Sequence, residues 1–368
     1  MTFQARLLLE DGTEFTGRYF TTPSDVFGEI VFNTAMSGYQ EVLTDPSYSN
    51  QCVVMTYPMI GNYGINKDDV ESNQIYLNAL LCKEYVDHPS NWQSVQSLKD
   101  YLEAHQKVGV ERLDTRALTL HVRDHGAQRM MITGNMDASK DDLLAQISAQ
   151  PKMAGLNLAQ NVTTSDTYSW NKKESVEKKF KLAVLDCGVK FNILRHLEDR
   201  GCDCVVMPID QAKDMLGRDT YHGLFISNGP GDPEPVESAV EVIKSHLGKL
   251  PIFGICLGHQ LIAHALGGKT YKLKFGHHGI NHPVKNLQTG KVEITSQNHG
   301  FCVDVASLGT DVTVTHVNLY DGTNEGFRHN IYPLFSVQYH PESAPGPCDS
   351  DYLFDEFVQM METTQVHA

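Results

Sequence analysis

A cysteine set between two glycines is the first place where this sequence could do chemistry. Gly254-Ile255-Cys256-Leu257-Gly258-His259-Gln260 follows the apolar run from Pro251 to Ile255. It precedes Leu261 to Leu266, whose spacing predicts a helix that Gly267-Gly268 would end. Strand, sharp turn, nucleophile and helix make the layout of a nucleophile elbow, here with Cys in place of Ser. The glycines give room for a strained turn and for close approach of a substrate. A helix N-terminus offers backbone N–H groups and a partial positive charge, which favour a thiolate and a developing oxyanion. A buried structural thiol is the commonest fate of a free cysteine, and the elbow alone leaves both readings open. Cys187 also follows an apolar run, but it lacks the preceding glycine, and Asp186 beside it would disfavour a thiolate. It reads as structural.

A thiol nucleophile needs a base and a group to orient that base. Tyr339-His340-Pro341-Glu342 offers both, two residues apart. In extended backbone such residues share a side, and Pro341 biases His340 away from helix. An exposed His-Pro-Glu turn is the bland alternative. His259 and His299 compete as bases but have no carboxylate at comparable spacing. Seventeen histidines, with His277-His278 near His282, invite a metal. No helical His pair with an acidic third ligand is visible, so no metal site is expected. The loop Ile226-Ser227-Asn228-Gly229-Pro230-Gly231-Asp232-Pro233 could turn backbone N–H groups toward a ligand. No Gly-Lys-Ser/Thr follows it, so it is not a nucleotide phosphate loop.

These residues need a frame to hold them. From Leu182 onward, short apolar runs (182–185, 204–207, 223–226 and 251–255) recur with helical patterns between them. That grammar predicts an α/β fold with a doubly wound, largely parallel sheet. After Thr270 strands follow one another at 291–297, 301–305, 312–317 and 334–339, and are expected as an antiparallel addition that makes the sheet mixed. A closing amphipathic helix runs from Leu353 to Met360. The first half reads as a separate mixed α/β domain rich in strands, with one helix over 94–106. Residues 151–180 have linker composition, which places an N-terminal domain at 1–150 and a C-terminal domain at 181–368.

Composition narrows the possibilities further. The 368 residues include 30 basic and 45 acidic side chains, a net charge of −15. Such a surface repels phosphate backbones and anionic lipid, so neither nucleic acid nor membrane is an expected partner. No run approaches the ~20 apolar residues of a spanning helix, and the start does not read as a signal peptide. Eight scattered cysteines without a Cys-x-x-Cys pair fit reduced thiols and a cytoplasmic setting.

The elbow, the Ser-Asn-Gly-Pro-Gly-Asp-Pro loop and the His-Pro-Glu end, in that family's order, together resemble the class I, triad-type glutamine amidotransferases. The likeness is closer still to the small, glutamine-hydrolysing chains of carbamoyl-phosphate synthases. It is carried by Lys274-Phe275-Gly276-His277-His278-Gly279, Gln297-Asn298-His299-Gly300-Phe301, Gly28 to Thr34, Ser37 to Glu41, Thr44 to Ser49 and Gly61 to Gly64. The resemblance implies that Cys256 attacks glutamine, that His340 moves the proton and that Glu342 orients His340. It implies an oxyanion hole at the N–H groups of Leu257 and Gly229, and glutamine contacts from Ser47, Gly231, Gln260, Asn298, Gly300 and Phe301. It further implies a separate large synthetase chain holding ATP and Mg, with no cofactor in this chain, and carbamoyl phosphate made for arginine and pyrimidine synthesis. Tyr339 stands where many relatives carry Gly, which would narrow the pocket. Two other classes stay open: another Cys-His-Glu hydrolase, such as a γ-glutamyl hydrolase, or a regulatory binding module that has lost its chemistry.

Overall fold

The computed structural model describes residues 3–173 and 175–366. The chain divides into two compact units, one of residues 1–156 with 274–279 and one of residues 157–273 with 280–368.

In the first unit, among the described residues, seven strands close into a barrel. Their order is Gln4–Leu9, Glu14–Tyr19, Val108–Glu111, Ala79–Leu81, Gln51–Met55, Val26–Asn33 and Arg129–Thr133. Closure leaves no sheet edge open to pairing. Side chains alternate across each strand, so one set (Leu7, Ile30, Cys52, Val54, Leu81, Val110) and another (Val31, Val53, Leu80) enter two separate apolar cores. The sequence predicts one helix here; the structure has several. Leu98–Ala104 is capped by Ser97, Thr115–His125 by Asp114 and Lys140–Ala149 by Ser139, each cap side chain accepting from the third residue on. Thr115–His125 and Lys140–Ala149 bury only a few apolar residues each, which is why their periodicity is faint.

Among the described residues the second unit holds a ten-stranded sheet. Its order is Tyr168–Trp170, Cys202–Pro208, Phe180–Asp186, Gly223–Ile226, Ile252–Ile255, Leu334–Val337, Asn324–His329, Val312–Asn318, Lys269–Asn286 and Val292–Asp304. Apolar cores cover both faces of its parallel part. Three expectations need correction. Leu334–Val337 is not part of the antiparallel addition: it runs parallel to Ile252–Ile255, and the antiparallel strands begin with its neighbour Asn324–His329. The two strands expected at 291–297 and 301–305 are one continuous strand, Val292–Asp304. The long strand Lys269–Asn286 was not foreseen, because its exposed polar stretches mask the alternation.

The segment expected as a linker carries structure of its own. Tyr168–Trp170 pairs antiparallel with Cys202–Pro208 at the sheet edge. Fully buried Glu198 accepts from the Trp170 indole N–H at 3.0 Å, from the N–H groups of Lys172 and Lys173, and from Lys178 Nζ. A polar composition disguised this tether because its partner is a single carboxylate on the helix Phe191–Asp199.

Candidate active site

Cys256 sits between the strand Ile252–Ile255 and the helix Leu257–Ala265. Its φ of 55° and ψ of −104° place it in a conformation that non-glycine residues rarely adopt. The glycines on either side explain how the strain is tolerated. A Cβ at Gly258 would meet the Ile226 carbonyl oxygen at 2.3 Å, and one at Gly254 would meet the Gly258 carbonyl carbon at 2.8 Å. Strand and helix therefore cross with backbone against backbone, and side chains at either position would push them apart.

Three segments are stitched together around this turn. Cys256 N donates to Val337 O at 2.9 Å, and His340 N donates to Ser296 O at 2.9 Å. The Cys256 thiol donates to Asn298 O at 3.5 Å. The backbone thus delivers the thiol, the imidazole and the strand Val292–Asp304 to one place.

His340 and Glu342 are 2 % and 0 % exposed, and His340 Nδ1 lies 2.7 Å from Glu342 Oε1. That contact commits Nδ1 to the carboxylate and leaves Nε2 for the sulfur. Nε2 has no hydrogen-bond partner in the free chain, and catalytic contacts of this kind often tighten only as a reaction proceeds. Burial pulls the His340 pKa down, but the Glu342 charge, the nearby Cys256 and the hydrogen bond to Glu342 outweigh it, so the net direction is upward. For Glu342 burial pushes up, while the charges of Lys190 and His340 hold the carboxyl well below its ordinary value.

Lys190 is the residue that sequence reasoning missed. Its Nζ lies 2.9 Å from Glu342 Oε1 and donates to Ser343 O at 2.7 Å, with both side chains of the pair buried. Asn192 Nδ2 also donates to Glu342 O. A lysine between an apolar strand and an amphipathic helix was the available signal, but its partner lies 152 positions away.

The other expected residues fall into two groups. Leu257 and Gly229 are neighbours: a Cβ on Gly229 would meet Leu257 Cδ2 at 2.8 Å and Cys187 O at 2.1 Å. Gly231, with φ of 86°, lies on the same loop, which is held by Cys187 N donating to Ser227 Oγ and Lys190 N to Asn228 Oδ1. Gln260 Nε2 donates to Phe301 O at 2.8 Å and to Gln338 Oε1 at 3.0 Å. Asn298, Gly300 and Phe301 follow one another on the strand beside the thiol. Ser47 belongs to the first unit, on the buried turn Pro46–Tyr48. Tyr339 does not point with His340; its ring is fully buried in the core, 5.6 Å from that of His316, and its hydroxyl donates to Glu293. Adjacent residues of an extended chain face opposite sides, so the bulk expected to narrow the pocket goes elsewhere. Cys187 is fully buried, and burial with the Asp186 charge pushes its thiol pKa up, as an inert structural thiol requires.

Residues 7–132 match the carbamoyl-phosphate synthase small chain, CPSase domain, and residues 183–360 match glutamine amidotransferase class-I. A carbamoyl phosphate synthase small chain from Syntrophotalea carbinolica is 49% identical over 98% of this chain and 98% of its own. The chain belongs to the carbamoyl-phosphate synthase small chain family. The small chain of Aquifex aeolicus is 48% identical, covering 97% of this chain and 99% of its own, and that of Nitratidesulfovibrio vulgaris strain Miyazaki F is 48% identical over 97% and 98%. Membership makes this chain a glutaminase subunit and sets aside the stand-alone hydrolase and the bare binding module. Among the described residues no helix is long and apolar enough to cross a membrane.

Proposed function

We propose that the chain hydrolyses L-glutamine through Cys256 and passes the ammonia to a separate large synthetase chain. In this reading His340 takes the thiol proton through Nε2 as the sulfur attacks the side-chain amide carbon. The oxyanion that develops meets the backbone N–H groups of Leu257 and Gly229. His340 then gives its proton to the departing nitrogen, ammonia leaves, and a γ-glutamyl thioester remains on Cys256. A water molecule, deprotonated by His340, adds to the thioester and releases glutamate and the free thiol. Ser47, Gly231, Gln260, Asn298, Gly300 and Phe301 would hold the substrate. The observation that carries the reading is the buried series Lys190–Glu342–His340, which ends at a cysteine in a strained left-handed turn.

The large chain would bind ATP, Mg and bicarbonate and make carbamoyl phosphate, so this chain needs no cofactor or metal of its own. A cytoplasmic, reducing setting fits the eight cysteines, which are all free. The test is Cys256→Ser in the two-chain complex. Glutamine-dependent synthesis should vanish, while synthesis from added ammonia persists. Cys187→Ser should change neither. Substantial glutamine hydrolysis by the Cys256→Ser protein would remove the thiol from its role.

A further inference from the structure

The strand beside the thiol presents its backbone carbonyls to the site. Asn298 O accepts from Cys256, and Phe301 O accepts from Gln260. What holds those carbonyls still lies behind the strand, in a series of buried polar groups that the proposed chemistry does not use. Residues i and i+2 of a strand share a face. On that face His299 spans two oxygens: Nδ1 lies 2.8 Å from Phe301 O and Nε2 lies 3.0 Å from Gln297 Oε1.

The Gln297 amide has a definite sense. Thr295 donates its hydroxyl proton to His282 O at 3.0 Å, and so accepts from Gln297 Nε2 at 3.2 Å. The second Nε2 hydrogen goes to Glu325 Oε2 at 3.0 Å. Glu325, 0 % exposed on the strand Asn324–His329, takes a further amide hydrogen on Oε1, from Asn318 Nδ2 at 2.8 Å. Its backbone carbonyl accepts from Gln338 N, two residues before His340.

We propose that Glu325 is a positioning residue for the glutamine subsite. Through Gln297 and His299 it fixes the stretch Asn298–Phe301 against Cys256 and Gln260. The inference rests on the reading of Cys256 as the thiol that attacks glutamine. A carboxylate suits the place because both neighbouring amides present N–H groups, and its two oxygens accept from both. An amide of the same size has one oxygen, so it would set a buried N–H against a buried N–H.

That mismatch defines the experiment. In the full-length chain, with active sites counted by alkylation with a glutamine-like chloromethyl ketone, Glu325→Gln should raise the KM for glutamine about tenfold or more. Its kcat should change by less than about threefold, because Cys256, His340 and Glu342 are untouched. Adding Asn318→Asp should restore KM to within about threefold of the parent. The introduced amide nitrogen then faces a carboxylate, its oxygen still accepts from Gln297, and the new carboxylate can still accept from Tyr320 N, which Asn318 Oδ1 now does at 2.9 Å. A residue that merely supports the fold would lower the fraction of titratable sites without moving KM. Gln297→Met severs the relay while leaving Glu325 and Asn318 together, and should reproduce the rise in KM even if Glu325→Gln fails to fold. An unchanged KM in Gln297→Met or in folded Glu325→Gln, or a double variant with KM as high as the single, would overturn the proposal. Hydrolysis persisting in Cys256→Ser, measured in parallel, would overturn the reading of the thiol instead.

Discussion

Glu342 stands between two basic side chains, Lys190 and His340. The two partners contribute differently, and substitutions separate them. His340→Asn removes the base itself and should lower kcat about 10³-fold, within the range for general acid–base catalysis. Glu342→Gln can still orient the imidazole but cannot stabilise its cation, so its loss should be smaller, and steady-state rates on folded protein compare the two. Equal losses would mean that the two residues act as one unit. Lys190 is separable by pH. The Glu342 carboxyl is held down from 4.5 to about 2, so the folded state binds that proton more weakly than the unfolded state. The stability this supplies is complete above the unfolded value and is lost as pH falls through the folded one. Lys190→Met removes a charge that lowers it and should cost about 3 kcal/mol at pH 7. Because the folded value then rises, the gap between parent and variant should narrow as urea unfolding is repeated from pH 5 down to pH 3. A gap that stays constant would show that Lys190 acts by packing alone. Cys256, His340 and Glu342 were legible as candidates because their spacing carries a recognisable chemistry. Lys190, Gln297 and Glu325 were not, because each acts through a partner that only the folded chain supplies.

The elbow shows how much an element can depend on atoms that are missing. Gly254 and Gly258 let the strand Ile252–Ile255 and the helix Leu257–Ala265 touch backbone to backbone, and Cys256 takes its left-handed turn between them. At Gly258 the obstacle is the Ile226 carbonyl, which belongs to the neighbouring strand Gly223–Ile226 and cannot rotate aside as a side chain would. Gly258→Ala should therefore cost about 1–3 kcal/mol, the usual range for overpacking. It should also move the helix N-terminus with its N–H groups, lowering kcat about 10²-fold. Thermal unfolding and glutaminase rates on the same preparation check both. A stable, fully active variant would show that the crossing has slack. Pattern reading found this element because glycine, cysteine and glycine sit at a fixed spacing between a strand and a helix. It failed for Leu334–Val337, whose direction depends on a parallel partner some 80 residues back, and for the short N-terminal helices, whose apolar faces are narrow. The continuous strand Val292–Asp304 was split because buried Asn298 and His299, followed by Gly300, read as a polar turn. Those residues lie in the site, and there local chemistry overrides the pattern.

Ammonia released at Cys256 would equilibrate with water and be largely protonated at neutral pH, so a useful glutaminase must deliver it through protein. Delivery of that kind needs a stable interface, which for a specific complex means roughly 1,200–2,000 Å² buried in total. The first unit is a closed barrel with two apolar cores of its own, and the match to the small chain, CPSase domain, lies within it. On its surface Trp92 is 90% exposed, Met36 73% and Val95 58%, although large apolar side chains are usually withdrawn from water. Tryptophan and methionine are also enriched where partners meet. Deleting residues 1–150 should therefore prevent stable association with the synthetase chain. Residues 274–279 complicate the deletion. They belong to the first unit, where Phe275 stacks on Phe32 with ring centroids 5.7 Å apart, and the truncated protein would leave Phe275 uncovered. A Phe275→Ser change in the truncated chain keeps that surface from aggregating. Size-exclusion chromatography of the mixed chains reads association, and circular dichroism confirms that the remaining unit is folded. The full-length Trp92→Ser protein should associate more weakly while its barrel stays intact, since a side chain that exposed contributes little to folding. A truncated chain that still co-elutes with the synthetase would place the interface on the second unit.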